Sequence, residues 1–352
     1  KGIVLAAFEE IYEKTRQRVK SVVATWPDGE TVQESYLDND GINLDRPVRL
    51  EVKVTKRGDS LRFDFSGSDH QTEGPVNIRP PIVRSGCFYG LIALVDHTLP
   101  CNYGLESAFE IDFGPSGTIT NPILPAPLTA YAATAGRICE MVVQALARAS
   151  GAAEVAGSGG NFTFMLGTRS TRSGTAYVQY EILSSGCGAV DSIDGGTGWF
   201  GTRRGQAGIS LPPVEILESE FPVRMARFEH IPDSGGPGRF RGGPGFAREY
   251  VMLEPARFSS RGDRFVQRPP GANGGLPGRP GATIINPRQN GEQRVPARSG
   301  DVHLEPGDVL RLETGGGGGV GEPKLRERSL ILDDLEDGVI TPTQAREAYG
   351  VA

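Results

Sequence analysis

The stretch DSGGPGRFRGGPG, residues 233–245, packs six glycines, two prolines and two arginines into thirteen positions. Three readings compete: a cradle for phosphate, an RNA-binding arginine–glycine tract, or a tight corner between strands. A second run, TGGGGGVGEP at 314–323, poses the same choice. Working outward, VRMARFEHI (223–231) and GFAREYVML (245–253) flank the first run, and both read as strands. The tract occurs once, in a chain with a net charge of −6, and a nucleic-acid partner would need a basic face. A phosphate loop needs Lys and Ser or Thr directly after its last glycine, whereas Glu322 and Pro323 follow Gly321. Gly316, Gly318 and Gly321 do satisfy G-x-G-x-x-G, but no βαβ unit follows to complete a dinucleotide site. Both runs are therefore expected to be glycine-rich turns supporting a β layer.

The 49 glycines among 352 residues are about twice ordinary usage. They alternate with strand-like runs, so an ordered, β-rich fold is expected rather than disorder. Residues 3–23 show helical spacing, with Ile3, Ala7, Phe8 and Ile11 continued by Val19, Val22 and Val23. RPVRLEVKVTKRGDSLRFDF (46–65) reads as a hairpin, with Val48, Leu50, Val52 and Val54 on one face and Gly58-Asp59 at the turn. Helices are expected at 84–95 and 128–149, the second stopped by Gly151. Beyond Gly157 come the strand candidates NFTFML, AYVQYEIL, REYVMLE, ATIIN and DVLRLET. In TPTQAREAYGV (341–351), Thr341 is placed to cap a helix, Pro342 sits at its first position and Gln344 completes a capping box.

The expected class is α+β and β-rich. A mixed helix and strand domain (1–156) precedes a glycine-rich, mainly antiparallel β domain (157–323) and a short helical tail (324–352). Cys87, Cys101, Cys139 and Cys187 lie far apart and never form C-x-x-C, which suits reduced thiols in a cytoplasmic protein. No apolar run reaches membrane-spanning length. The chain opens on Lys1, directly into a helix, and reads as the downstream piece of something longer.

Chemistry is sparse. The histidines 70, 97, 230 and 303 are isolated, so no H-E-x-x-H zinc motif exists, and G-x-S-x-G is absent. Asp64, Asp69, His70 and Glu73 could meet a hard cation, although the same composition describes an ordinary Asx-turn. Cys187, in SSGCGAVDSIDGG, has no basic neighbour in sequence to lower its pKa and reads as a packed small residue.

Taken in order, several stretches resemble the hydantoinase B/oxoprolinase family. They are DFSGSDHQTEGPVN (64–77), LPCNYG (99–104), TITNPILPAP (118–127), YEILSSGCGA (180–189), PDSGGPGRFRGGPGFAREY (232–250), PPGANGGLPGRPG (269–281), LEPGDVLRLETGGGGGVGEP (304–323) and GVITPTQAREAYGV (338–351). The resemblance implies one component of an ATP-dependent enzyme that hydrolyses a cyclic amide, a lactam or hydantoin, after its carbonyl is phosphorylated. Related members carboxylate ketones such as acetone and acetophenone, and a non-catalytic assembly subunit is a further alternative. It also implies that ATP and Mg sit on a hydantoinase A-like partner. The family's divalent metal, Mn or Zn, is expected on a segment with NDPY- and HLPD-like motifs, which are absent here, or on a separate chain carrying that segment.

Within this framework Asp64, Gln71, Asn77, Glu181 and Asp194 are the candidate catalytic residues. Trp199, Arg203 and Arg204 are the candidate substrate-binding residues, able to hold an anionic substrate or intermediate. One departure stands out. Where the family usually shows a histidine-containing run, residues 198–215 read GWFGTRRGQAGISLPPVE, with no histidine. That change leaves room for a ketone substrate or a remodelled pocket. No nucleic-acid or membrane partner is expected.

Overall fold

The alternating run at 48–57 and its return at 60–64 form the expected hairpin in the computed structural model, which describes residues 2–152, 154–197 and 211–351. The chain divides into two units, Lys1–Glu154 and Val155–Ala352, and the architecture is α+β.

In the first unit the order is α1 (Gly2–Val23), β1 (Gly29–Leu37), β2 (Val48–Arg57), β3 (Ser60–Asp64), α2 (Pro80–Leu94), α3 (Tyr103–Glu106), β4 (Glu110–Asp112) and α4 (Tyr131–Ser150). The sheet runs β1-β2-β3-β4, antiparallel except for the parallel β3–β4 pair. Period-two alternation places Leu50, Val52, Val54, Leu61 and Phe63 in the core. There they share one cluster with Ile138, Met141, Val142 and Leu146 of α4. Gly86 and Gly90 let α2 close onto α4, since a Cβ would fall 2.8 Å from Ile138 Cγ2 and 2.6 Å from Val142 Cγ1.

Helix α2 begins four residues ahead of expectation. Pro80 and Pro81 occupy its first turn, where a missing N–H costs nothing, rather than breaking it. Helix α4 ends as expected on Gly151, which takes the left-handed conformation at φ 68°.

The second unit contains β5 (Asn161–Arg169), β6 (Ala176–Ser184), α5 (Val214–Glu220), β7 (Val223–His230), β8 (Phe246–Met252), β9 (Ala256–Gly262), β10 (Ala282–Ile285), β11 (Gln293–Val295), β12 (Arg298–Leu304), β13 (Val309–Glu313), α6 (Arg328–Glu336) and α7 (Pro342–Glu347). Two antiparallel sheets, ordered β11-β10-β13-β8-β7 and β12-β9-β5-β6, enclose one core. Phe164, Leu166 and Phe258 of one sheet share it with Tyr250, Leu310 and Leu312 of the other, and the Phe164 and Tyr250 rings lie 5.9 Å apart.

The glycine runs are not simple turns. Amides at 316 and 319 donate to the carbonyls of Arg279 and Leu276, those at 317 and 320 to Gly243 and Phe240, and those at 318 and 321 to Gly157 and Ala272. A strand would point its amides in two alternating directions. Three directions with a repeat of three belong to an extended, polyproline II-like segment. Segments 157–159, 186–189, 236–243 and 270–279 surround 315–321 in this way and form a lattice held by backbone hydrogen bonds. The lattice requires glycine by contact. A Cβ on Gly317 would fall inside the Cys187 carbonyl group.

The C-terminal helices join this unit. Thr341 Oγ1 accepts the Gln344 amide, as the capping reading requires. The other half of the box differs, because the Thr341 amide donates to Asp233 Oδ1 at 2.7 Å and leaves Gln344 Oε1 buried without a partner.

Candidate functional site

In the first unit the loop after β3 carries Asp64, Gln71 and Asn77. The carboxylate of Asp64 lies 3.9 Å from Lys53 Nζ and accepts the Ser66 amide at 2.9 Å, an Asx-turn. Burial works to raise its pKa, but the Ser66 hydroxyl and amide, aided by Lys53 and Arg62, bring it below the ordinary value. Its register partner is Asp112, which with Arg62, Glu110, Phe113, Gly114 and Asn121 lines a cleft of about 350 Å³.

Gln71 and Asn77 are bonded to backbone groups of this loop and of the 123–127 segment. Gln71 Oε1 accepts the Ile123 amide at 2.7 Å. Asn77 is fully buried; its Oδ1 accepts from Thr72, and its Nδ2 donates to the carbonyls of Thr72, Gly74 and Pro127. Both N–H groups of the amide and its oxygen are thereby engaged. Asp69 accepts the Arg49 amide and so ties the loop to β2.

Sequence reading passed over Asp40, which is buried beneath this loop. It accepts the Ile42 and Asn43 amides at 2.9 and 2.7 Å, and the Gly74 amide at 3.3 Å. Burial pushes its pKa up, yet these donors hold it below the usual range. The signal was the Asx-rich run DND at 38–40, which composition alone marks only as a turn.

In the second unit Glu181 and Asp194 belong to separate clusters. Glu181 points into the core between the sheets and accepts from Arg248 Nη1, from Tyr250 Oη at 2.9 Å and from Gln179 Nε2. Arg248 is fully buried beneath the exposed Phe228 ring, 4.9 Å from its centroid. Burial first, then the Glu181 charge, pushes the Tyr250 phenol well above its ordinary pKa. A carboxylate held by three donors in a dry core is an anchor more than a proton acceptor.

Asp194 receives both Arg326 Nη atoms at 2.8 Å and the Arg241 amide at 2.8 Å. Arg326 also reaches Asp334 at 2.6 Å, and Arg241 Nε reaches the same carboxylate at 2.7 Å. Burial works to lower the Arg326 pKa, but Asp194 and then Asp334 raise it beyond its usual value. Sequence offers no sign of this cluster, since its members come from three separate segments and Asp194 and Arg326 lie 132 residues apart.

Beyond Asp194 the chain stays pinned. Gly195 donates to Arg241, Gly196 accepts from Cys187, and Thr197 Oγ1 donates to the Pro244 carbonyl at 3.0 Å. Trp199, Arg203 and Arg204 follow at once but lie outside the described residues. Cys187 is buried within the lattice, as a packed small residue would be.

The 316–321 run offers no phosphate cradle. Every amide from Gly316 to Gly321 already serves a backbone carbonyl, so none is left to hold an anion. Among the described residues no three His, Cys, Asp or Glu side chains gather as metal ligands, and no helix is long and apolar enough to cross a membrane.

Residues 1–323 match the family described as hydantoinase B/oxoprolinase. The B-type component of a putative D-/L-hydantoinase from Pseudomonas sp. (strain NS671) is 29% identical over 368 residues, covering 99% of this chain and 60% of that protein. The beta chain of the caprolactamase of Pseudomonas jessenii is 26% identical over 361 residues, covering 99% and 61%. The crystal structure of the ATP-dependent caprolactamase from the same organism superposes with a TM-score of 0.84 at 24% identity, over 99% of this chain and 61% of that one. A nucleotide-free acetone carboxylase shares the fold at TM-score 0.78 and 19% identity, over 96% and 51%. The chain thus spans roughly half to three-fifths of the length of these proteins.

Proposed function

The chain belongs to the hydantoinase B/oxoprolinase family, and from that premise we propose that it forms part of a multi-subunit, ATP-dependent enzyme hydrolysing a cyclic amide. The reading is carried by the extent of the likeness: 99% of the chain aligns with both the B-type hydantoinase component and the caprolactamase beta chain. An amide carbonyl is a weak electrophile, and phosphorylating its oxygen supplies the activation that bound water alone lacks. The saturated amides at 316–321 support placing ATP and its Mg on a hydantoinase A-like partner. A Mn or Zn ion would sit on polypeptide outside the described residues. The four free cysteines fit a reducing cytoplasm.

In this reading the chain's own work is geometric and electrostatic. Asp194, clamped by Arg326 and by the lattice amide of Arg241, fixes where the 198–210 run begins. Trp199, Arg203 and Arg204 on that run bind the substrate, the two arginines neutralising an anionic intermediate. Gln71 and Asn77 hold the loop that follows Asp64, a half-buried carboxylate beside Lys53. Glu181 keeps the two sheets in register through Arg248 and Tyr250.

Carboxylation of a ketone is the second reading, favoured by the histidine-free run at 198–215. The test is ADP release by the complex reconstituted with a hydantoinase A-like partner. Release dependent on 5-oxoproline, hydantoin or caprolactam is expected. Release only with a ketone plus bicarbonate selects the second reading, and no release with either overturns both. Arg203→Ala with Arg204→Ala should lower kcat/KM at least tenfold with an unchanged melting temperature; unchanged turnover removes them from the pocket.

A further inference from the structure

Helix α1 carries one apolar face along its length, but its own unit covers only part of that face. At 100° per residue Val4, Phe8, Ile11 and Tyr12 lie in line with Thr15, Val19, Val22 and Val23. Thr15, Val19 and Val23 are buried, whereas Val4 is 55% exposed and Phe8 and Ile11 are each 48% exposed. Ile3 and Leu5 flank the bare stretch and are also exposed. The patch runs on through aromatic contacts. Phe8 stacks on Tyr12 at 6.4 Å, Tyr12 meets the edge of Tyr103 at 5.9 Å, and Tyr103 is itself largely exposed.

The helix cannot roll to hide this face. Gly104 of α3 sits against the Tyr12 carbonyl so closely that a Cβ would overlap it, and Asn102 Nδ2 donates to Thr15 Oγ1 at 3.1 Å. A contiguous, fixed and bare apolar face is the mark of an interface.

Size argues against a second copy as its cover. A standard interface takes about 20–30 residues a side, and the bare stretch of α1 has about ten. A larger neighbour, anchored elsewhere as well, fits better. The relatives carry such material, because this chain covers only 60% of the hydantoinase component and 61% of the caprolactamase chain. We infer that the bare face of α1, from Ile3 to Ile11 and extended by Tyr103, is the docking strip for the polypeptide that those relatives carry beyond the region matched here. The inference rests on the reading that the chain works in such an assembly.

The test co-expresses the full chain with the unmatched part of the B-type Pseudomonas hydantoinase component, and reads light scattering together with amide hydrogen exchange. A one-to-one complex is expected, in which exchange at residues 4–11 slows at least tenfold. Phe8→Glu with Ile11→Glu should abolish the complex while the chain keeps its melting temperature. Three outcomes would overturn the inference: no complex, a complex indifferent to the double variant, or a homodimer of the chain alone that protects residues 4–11. ADP release by the reconstituted enzyme separates the two claims. Wild-type release by the double variant strikes the docking strip and spares the proposed function, whereas protection of 4–11 without any amide- or ketone-dependent release does the reverse.

Discussion

In the first unit, Leu50, Val54, Phe63 and Met141 fill the space between sheet and helices, and exclusion of water from side chains holds it together. In the lattice of the second unit, the space between neighbouring segments is filled by peptide groups, because most positions carry no side chain. The two kinds of packing fail in opposite ways. An apolar core is weakened by removing atoms, which leaves a cavity. A backbone lattice is weakened by adding one, since an extra methyl meets main chain that cannot rotate away.

The largest expected effect is that of a single added methyl. Gly317→Ala should cost the second unit more than about 4 kcal/mol, the exceptional end of point-mutant effects, and give insoluble or unfolded protein. Urea unfolding followed by circular dichroism reads this directly; a folded variant with ordinary stability would break the contrast. Truncation in the first unit comes next. Phe63→Ala should cost about 3–5 kcal/mol in the same measurement, by leaving a cavity beside Phe109, whose ring centroid lies 5.4 Å away.

Removing one member of the buried charge cluster should fall slightly lower. Asp334→Asn leaves Arg326 still paired with Asp194 and should cost about 3 kcal/mol, while Arg326→Met should cost more because it strips both Asp194 and the buried Asp334 of the cation they share. Equal costs would show that packing, not charge, decides that site.

Acid should act on the first unit through Asp40. Its folded pKa lies below the unfolded value, so its contribution is full above the unfolded carboxylate range, about 4, and is lost as pH falls through the folded value. Asp40→Asn should therefore flatten the fall in stability as pH drops below about 4, and an unchanged slope would remove Asp40 from the acid limb. The smallest effect serves as the control. Gly300→Ala meets no atom within 4 Å and should change stability by less than about 0.5 kcal/mol.

The helices and the stronger strands were legible because side chains record their period. The 48–65 hairpin, the stop at Gly151 and the Thr341 cap all formed where spacing and capping chemistry placed them. Strands β9 and β12 were missed, because ARFSSRG and RSGDVHL are short, charged and glycine-bearing. Of the candidate site, the sequence marked the loops but not the partners of their residues. Asp194 stands alone in sequence, and only folding brings Arg241, Arg326 and Asp334 to it.

Local pattern and the order of motifs were enough to establish the family, the α+β class and most helix and strand positions, since each of these is written in side chains close together along the chain. What the glycines do emerged only from the folded molecule. A residue without a side chain carries no hydrophobic period, so the threefold geometry of 315–321 exists solely in the hydrogen bonds it makes to segments far away in the chain.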